Sequence, residues 1–219
     1  MTAAVLFDLD GTLLDTAPDF LQILNQLLQQ ENKPALLLSE LRHVVAGGSD
    51  AMVQYSFNIT EEDPQFWKLK QQLLQEYQRI VGTHVRPFEG INTVLQHLNT
   101  ANIPWGIVTN KHAHFTKLLL DKLKMNAQFV HKPGCIVSGD TTPFCKPHPA
   151  PLLYACKLLK VNPTECIFVG DAERDVVAGK ACGMKTIVAH FGYIRFDEDI
   201  ATWGADFCVD RPEAILDYI

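Results

Sequence analysis

The chain has 219 residues, of which 47% are apolar and 20% charged, with a formal net charge of −6 at pH 7. That length allows one large domain or a core with an insertion, and the composition excludes a disordered or fibrous chain. The acidic balance, with no basic stripe, argues against a nucleic-acid surface, while small anionic ligands stay open because local pocket charge matters more than the sum.

No positively charged segment precedes the first apolar run, and no run is long enough to span a bilayer. Neither a secretory leader nor a membrane association is therefore expected. The six cysteines, Cys135, Cys145, Cys156, Cys166, Cys182 and Cys208, include no C-x-x-C pair. Free thiols in a reducing cytoplasm fit that spacing better than a disulfide framework or a zinc site.

The first predicted element is the strand around Val5-Leu6-Phe7, which delivers Asp8 and Asp10 into a Gly11-Thr12 turn. Residues i and i+2 of a strand point the same way, so the two carboxylates converge at its C-terminal end. Such a pair can hold a divalent cation, or one can attack while the other shuttles a proton. An acidic, solvated turn is the alternative.

From Thr16 the pattern turns helical. Thr16 and Asp19 read as an N-cap pair with Pro18 in the first turn, and Leu21, Leu24, Leu27 and Leu28 recur at helical spacing. Further helices are predicted over 38–45, 49–57 and 64–81, the first two separated by Gly47-Gly48. The N–H groups of Gly47-Gly48-Ser49 could meet the anionic end of a substrate; a plain helix–helix turn is the equal alternative. No strand run shows between about 15 and 84.

After a return linker over 85–90, helices and strands alternate: helix 91–100, strand 105–109, helix 112–123, strand 135–137, helix 150–159, strand 166–170, helix 175–182 and strand 186–189. Short apolar strands separated by helices imply a parallel sheet covered on both faces. The expected fold is α/β, a doubly wound, Rossmann-like parallel sheet over 1–14 and 86–219, with an inserted all-helical cap over 15–85.

In such folds ligands bind beyond the C-terminal strand ends. Complementary groups occur there. Thr109-Asn110 ends one strand, where a hydroxyl and backbone N–H groups can face a phosphate oxygen or simply cap the next helix. Lys146 sits in Cys145-Lys146-Pro147-His148-Pro149, placed to balance carboxylates or left in solvent. Asp171 and Asp175 in Gly170-Asp171-Ala172-Glu173-Arg174-Asp175 share one side of a helix start, a metal pair or a response to the helix dipole. His112 and His114 diverge on their helix and read as no metal pair, and His148 reads as loop support. Trp67, Trp105 and Trp203 read as packing residues. No phosphate-cradling G-x-x-x-x-G-K-[ST] or G-x-G-x-x-G occurs.

Taken in order, D-x-D-G-T, the Thr-Asn strand end, the Lys-Pro loop and G-D-x-x-x-D resemble the haloacid dehalogenase superfamily, and within it the phosphatases with a helical cap after the first strand. The resemblance covers essentially the whole chain. It implies that Asp8 is the nucleophile of an aspartyl-phosphate intermediate and that Asp10 protonates the leaving alkoxide and then activates water. It further implies that Thr109 binds phosphoryl oxygens and that Lys146 steadies the charge. Mg²⁺ would sit among Asp8, the backbone carbonyl of Asp10, and Asp171, with Asp175 in support. Cap closure would keep water from the intermediate.

Asp10 argues against a dehalogenase, and Phe20, where the mutases of the superfamily carry histidine, argues against a mutase. The chain is most similar to the phosphoglycolate phosphatase group, with its N-acetylmuramic acid 6-phosphate branch as the alternative. The similar segments are Thr16-Ala17-Pro18-Asp19-Phe20, Ala46-Gly47-Gly48 with Ala51-Met52-Val53, Phe191-Gly192-Tyr193-Ile194 and Trp203-Gly204-Ala205-Asp206. The expected partner is a small phosphorylated metabolite, without nucleic acid or membrane, handled by a cytoplasmic monomer or homodimer. A catalytically silent binding protein is the reading from another class, disfavoured because every expected catalytic position is filled.

Overall fold

A computed structural model of the chain describes residues 2–127, 129 and 131–219. Strand β1 (Ala4–Phe7) is fully buried, as a central strand covered on both faces must be. A short strand β2 (Leu14–Asp15) follows, and then helices α1 (Ala17–Gln30), α2 (Leu38–Val45), α3 (Gly48–Phe57) and α4 (Phe66–Ile80). Strand β3 (Arg86–Pro87) runs antiparallel to β2, pairing Leu14 with Pro87 and Asp15 with Arg86. The chain then alternates through α5 (Ile91–Thr100), β4 (Trp105–Val108), α6 (Ala113–Met125), β5 (Cys135–Val137), α7 (Ala150–Leu159), β6 (Cys166–Gly170), α8 (Glu173–Ala181), β7 (Lys185–Ala189) and β8 (Phe207–Val209).

The main sheet has six strands in the order β5-β4-β1-β6-β7-β8, every pairing parallel. The chain winds outward from β1 through β4 to β5, then returns to the other side of β1 with β6. That reversal opens a crevice beyond the C-terminal ends of β1, β4 and β6. The α/β expectation holds.

Helices α1 to α4 bury apolar faces at helical spacing, with Phe20, Ile23, Leu24, Leu27 and Leu28 of α1 and Leu69, Leu73 and Tyr77 of α4 all buried. Phe20 stacks on Tyr77 with ring centroids 4.3 Å apart. Trp105 and Trp203 are buried, whereas Trp67 is exposed and lies under the Lys70 ammonium, 4.9 Å from the ring centroid. Trp67 is therefore a surface residue and not a packing one.

The Thr16–Asp19 reading of the first helix is corrected. Thr16 occupies the N-cap position but makes no cap bond; its hydroxyl donates to Asp10 Oδ1 at 2.7 Å. Asp19 is fully buried and accepts from the backbone N–H of Gly82 and of His84, each at 2.7 Å. Burial pushes the Asp19 carboxyl above its ordinary value, while the His84 and Gly82 donors pull it down. The carboxylate thus ties the start of α1 to the chain leaving α4. Asp19→Asn keeps one acceptor but turns an amide N–H₂ toward a donor, so we expect a loss of about 1–3 kcal/mol in urea unfolding with no change in fold.

Three smaller departures have local causes. The expected strand-free stretch begins one residue late, because Asp15 belongs to β2. Helix α4 starts at Phe66 since Asp63 Oδ1 accepts from Gln65 N–H at 2.8 Å and holds a turn ahead of it. Edge strand β8 is only the three residues Phe207-Cys208-Val209 between Asp206 and Asp210, with Cys208 exposed, too short and open a run to stand out in the sequence.

Candidate active site

The site is built at the switch point. Asp8 follows the last residue of β1 and keeps the ladder going, donating its N–H to Val169 O at 2.9 Å. The chain then turns back, with Leu14 N–H donating to Leu9 O at 2.9 Å and Gly11 N–H to Leu14 O at 2.9 Å. Gly11 has φ +87, and a Cβ there would lie 1.9 Å from Asp171 Oδ2. Only glycine allows the turn to close against that carboxylate.

Asp8 is 3% exposed and Lys146, from the loop before α7, is 3% exposed. The Lys146 ammonium donates to Asp8 Oδ1 at 2.7 Å and to Val108 O at 2.8 Å, and it lies 2.7 Å from Asp175 Oδ1. Burial opposes its charge, yet Asp175 and Asp8 outweigh that and hold the ammonium above its ordinary value. The loop itself is pinned by Asn110, whose side chain donates to Lys146 O at 2.8 Å and accepts from Lys146 N–H at 3.0 Å. That leaves the Asn110 amide engaged with backbone, so its part in the site is to hold Lys146. The Thr109 side chain is buried, its Oγ1 accepting from Lys111 N–H at 3.1 Å.

Asp171 leaves the end of β6 and accepts from Tyr193 N–H at 2.8 Å and from the Thr12 hydroxyl at 3.4 Å. Asp175 accepts from Ala172 N–H at 3.1 Å through Oδ2, closing the first turn of α8. Burial raises Asp171 well above the usual carboxylate range, and the charges of Asp8 and Asp175 add to it. Burial also raises Asp8, with Lys146 pulling the other way.

Oxygens of Asp8, Asp171 and Asp175 all lie within 4.8 Å of one another. Three buried carboxylates with oxygen donors only suit a hard divalent cation, which would relieve the repulsion that raises Asp8 and Asp171.

Asp10 stands apart from that cluster. Its Oδ1 accepts from the Thr16 hydroxyl and from the Lys111 ammonium, the latter at 2.9 Å. Lys111 is also held over the rings of Tyr77 and Phe20, 4.9 and 5.3 Å from their centroids, and despite burial its charge is stabilised by Asp10. Asp8, Asp10, Thr109 and Asn110 open on a cavity of about 400 Å³ whose far wall is formed by Phe20, Met52, Leu74 and Tyr77 of the inserted helices. Gly48, with φ +75, lines it too. Gly47 turns its N–H back to Val44 O at 2.9 Å, which removes it from the anion cradle expected of the pair. His112 faces Asp140 at 3.1 Å, and His148 stacks on Phe144.

Sequence reasoning missed four participants: Thr16, Lys111, Tyr193 and Arg174, the last of which lines the same cavity. Lys111 directly follows Thr109-Asn110 and Arg174 lies inside the Gly170–Asp175 motif, so nearness to a motif was the available signal. Tyr193 donates its hydroxyl to Asp15 Oδ1 at 2.7 Å and accepts from Ala17 N–H at 2.8 Å, a role no local pattern announces.

Among known proteins, the chain is 40% identical over 209 residues to a phosphoglycolate phosphatase of Xanthomonas campestris pv. campestris, covering 95% of this chain and 92% of that one. It is 37% identical over 216 residues to the N-acetylmuramic acid 6-phosphate phosphatase of Pseudomonas aeruginosa, covering 99% and 94%. The fold matches the crystal structure of a predicted phosphoglycolate phosphatase from Haemophilus somnus with a TM-score of 0.82, at 24% identity over 99% of this chain and 97% of that one. Residues 5–189 match the model of the haloacid dehalogenase-like hydrolase family, and the chain belongs to that family.

Proposed function

We propose that this protein is a Mg²⁺-dependent phosphomonoesterase acting through an aspartyl-phosphate, with phosphoglycolate as its first candidate substrate. The observation that carries the reading is the buried contact of the Lys146 ammonium with Asp8 Oδ1 at 2.7 Å, behind a cavity that both Asp8 and Asp10 line. One carboxylate is charge-compensated for attack while the other faces the same cavity, where it can exchange a proton with the leaving group.

Asp8 attacks the phosphorus, the P–O bond to the leaving group breaks, and the Asp10 carboxyl delivers its proton to the departing alkoxide. Water then attacks the same phosphorus, Asp10 takes its proton, and the Asp8–phosphorus bond breaks to release inorganic phosphate. General acid help of this kind contributes roughly 10²–10⁴ in rate. Lys111 and Thr16 hold Asp10 in register through the steps. Lys146 offsets the charge as a carboxylate nears a phosphate dianion, and Thr109 offers its hydroxyl to phosphoryl oxygens. Mg²⁺ held by Asp8, Asp171 and the Asp10 carbonyl, with Asp175 behind, would neutralise further charge on the phosphoryl group.

Residues 15–85 act as a cap over a core formed by 1–14 and 86–219, and supply the wall against which the leaving group rests. A second reading, hydrolysis of N-acetylmuramic acid 6-phosphate, is favoured by the size of the cavity, since about 400 Å³ is ample for a sugar and generous for glycolate. A cytoplasmic location agrees with free cysteines at all six positions and with the finding that, among the described residues, no helix is long and apolar enough to cross a membrane.

The test is release of inorganic phosphate from a chromogenic phosphate ester, followed by a panel of phosphorylated metabolites ranked by kcat/KM. We expect a chelator to abolish turnover, Mg²⁺ to restore it, and saturating Mg²⁺ to raise the melting temperature. Turnover that survives chelation sinks the metal-dependent reading.

A further inference from the structure

Lys70, Lys111 and Arg174 line the cavity and Lys146 lies behind Asp8, and their partners separate them. Lys146 is held by Asp8 and Asp175, Lys111 by Asp10, and Lys70 by Asp50 at 2.5 Å. Arg174 lines the same cavity and makes no hydrogen bond or ion pair with any described residue, and its Nε is buried without a partner. It follows Glu173 at the start of α8, between Asp171 and Asp175, close enough for the charges of Asp175, Asp8, Asp171 and Asp10 to act on it. A buried guanidinium donor without an acceptor is costly unless a ligand supplies one.

We propose that Arg174 is a specificity residue that receives a carboxylate on the leaving group, and that the substrates of this enzyme are phosphate monoesters carrying such a carboxylate. The proposal rests on the phosphatase reading and deepens it. A guanidinium presents a planar fork of donors that matches a carboxylate in bidentate fashion, which a lysine point charge does not. The phosphoryl group already has Lys146 and Thr109 on its side of the cavity, where Asp8, Asp171 and Asp175 would also hold a cation. The remaining acceptor must then come from the other end of the substrate. Phosphoglycolate and N-acetylmuramic acid 6-phosphate, the compounds named for the two relatives, differ greatly in size but share this one feature: each carries a phosphate ester and a carboxylate.

Two matched pairs isolate the carboxylate: 2-phosphoglycolate against 2-hydroxyethyl phosphate, and N-acetylmuramic acid 6-phosphate against its analogue with the lactyl carboxylate reduced to the alcohol. The wild-type enzyme should favour the carboxylate member of at least one pair by about 30-fold or more in kcat/KM, the range for a desolvated charge pair. Arg174→Met should bring that ratio to within about threefold of one, and Arg174→Lys should give an intermediate value, with melting temperatures reporting that each variant is folded. A wild-type enzyme without carboxylate preference in either pair overturns the proposal. So does an Arg174→Met variant that loses equally on both members, because that pattern assigns the guanidinium to the phosphoryl group. An enzyme inert toward all four esters and the chromogenic ester overturns the phosphatase reading, and this inference with it.

Discussion

Asp8→Asn lowers kcat by at least about 10⁴-fold while the protein keeps its fold and its cavity. An amide of nearly the same shape can still accept from Lys146, so the surrounding packing has no reason to change. What disappears, on the proposed mechanism, is the anionic oxygen that attacks phosphorus. The loss should appear in kcat with KM little altered, and no phosphorylated protein should be trapped on rapid quenching. Near-wild-type turnover with an intact melting transition would remove Asp8 from the role of nucleophile.

Lys146→Met acts on both stability and rate. The ammonium is fully enclosed, with 0% side-chain exposure, and it lies between Asp8 and Asp175. Methionine fills the space but leaves two buried carboxylates facing each other without a cation, and breaking a buried pair in this way costs about 3–5 kcal/mol. Denaturant unfolding at neutral pH in a chelator should register that loss, and saturating Mg²⁺ should recover part of it. Turnover should fall by about 10³-fold even with Mg²⁺ present, since one donor aimed at developing charge is gone. Wild-type stability in the variant would mean that Asp8 and Asp175 do not depend on Lys146 for compensation.

The strand ends that meet in the candidate site are the most legible elements in the sequence, for a physical reason. A parallel sheet needs short, unbroken apolar strands, so the polar residue that ends each one stands out, and Asp8, Thr109 and Asp171 were found in that way. Helices α5 and α7 and strand β5 also matched their predicted limits, because apolar spacing and flanking Gly or Pro residues agree there. The failures share a different cause. Asp19 looks like a helix-cap residue to its neighbours, yet its partners Gly82 and His84 lie more than sixty positions away. Thr16 shows the same thing at shorter range, because its hydroxyl is drawn to Asp10 by the turn and not by the helix. Lys111 and Arg174 read as ordinary charged residues, and only the closing of the chain around them reveals that one is locked to Asp10 and the other faces the cavity unpaired.

The ribbon of β2 and β3 gives the inserted helices a common doorway. The chain enters the insert beside Asp15 and returns beside Arg86, residues paired directly across the ribbon. The two ends of the insert are thus held side by side by the ribbon, and the sheet meets only a short hairpin whatever lies beyond it. Length or composition of the insert can then change at small entropic cost to the core, since closure cost grows only slowly with loop length. Such an arrangement lets a lineage exchange the helices that wall the cavity while the cluster of Asp8, Lys146 and Asp171 beneath stays intact, a socket that accepts different fittings.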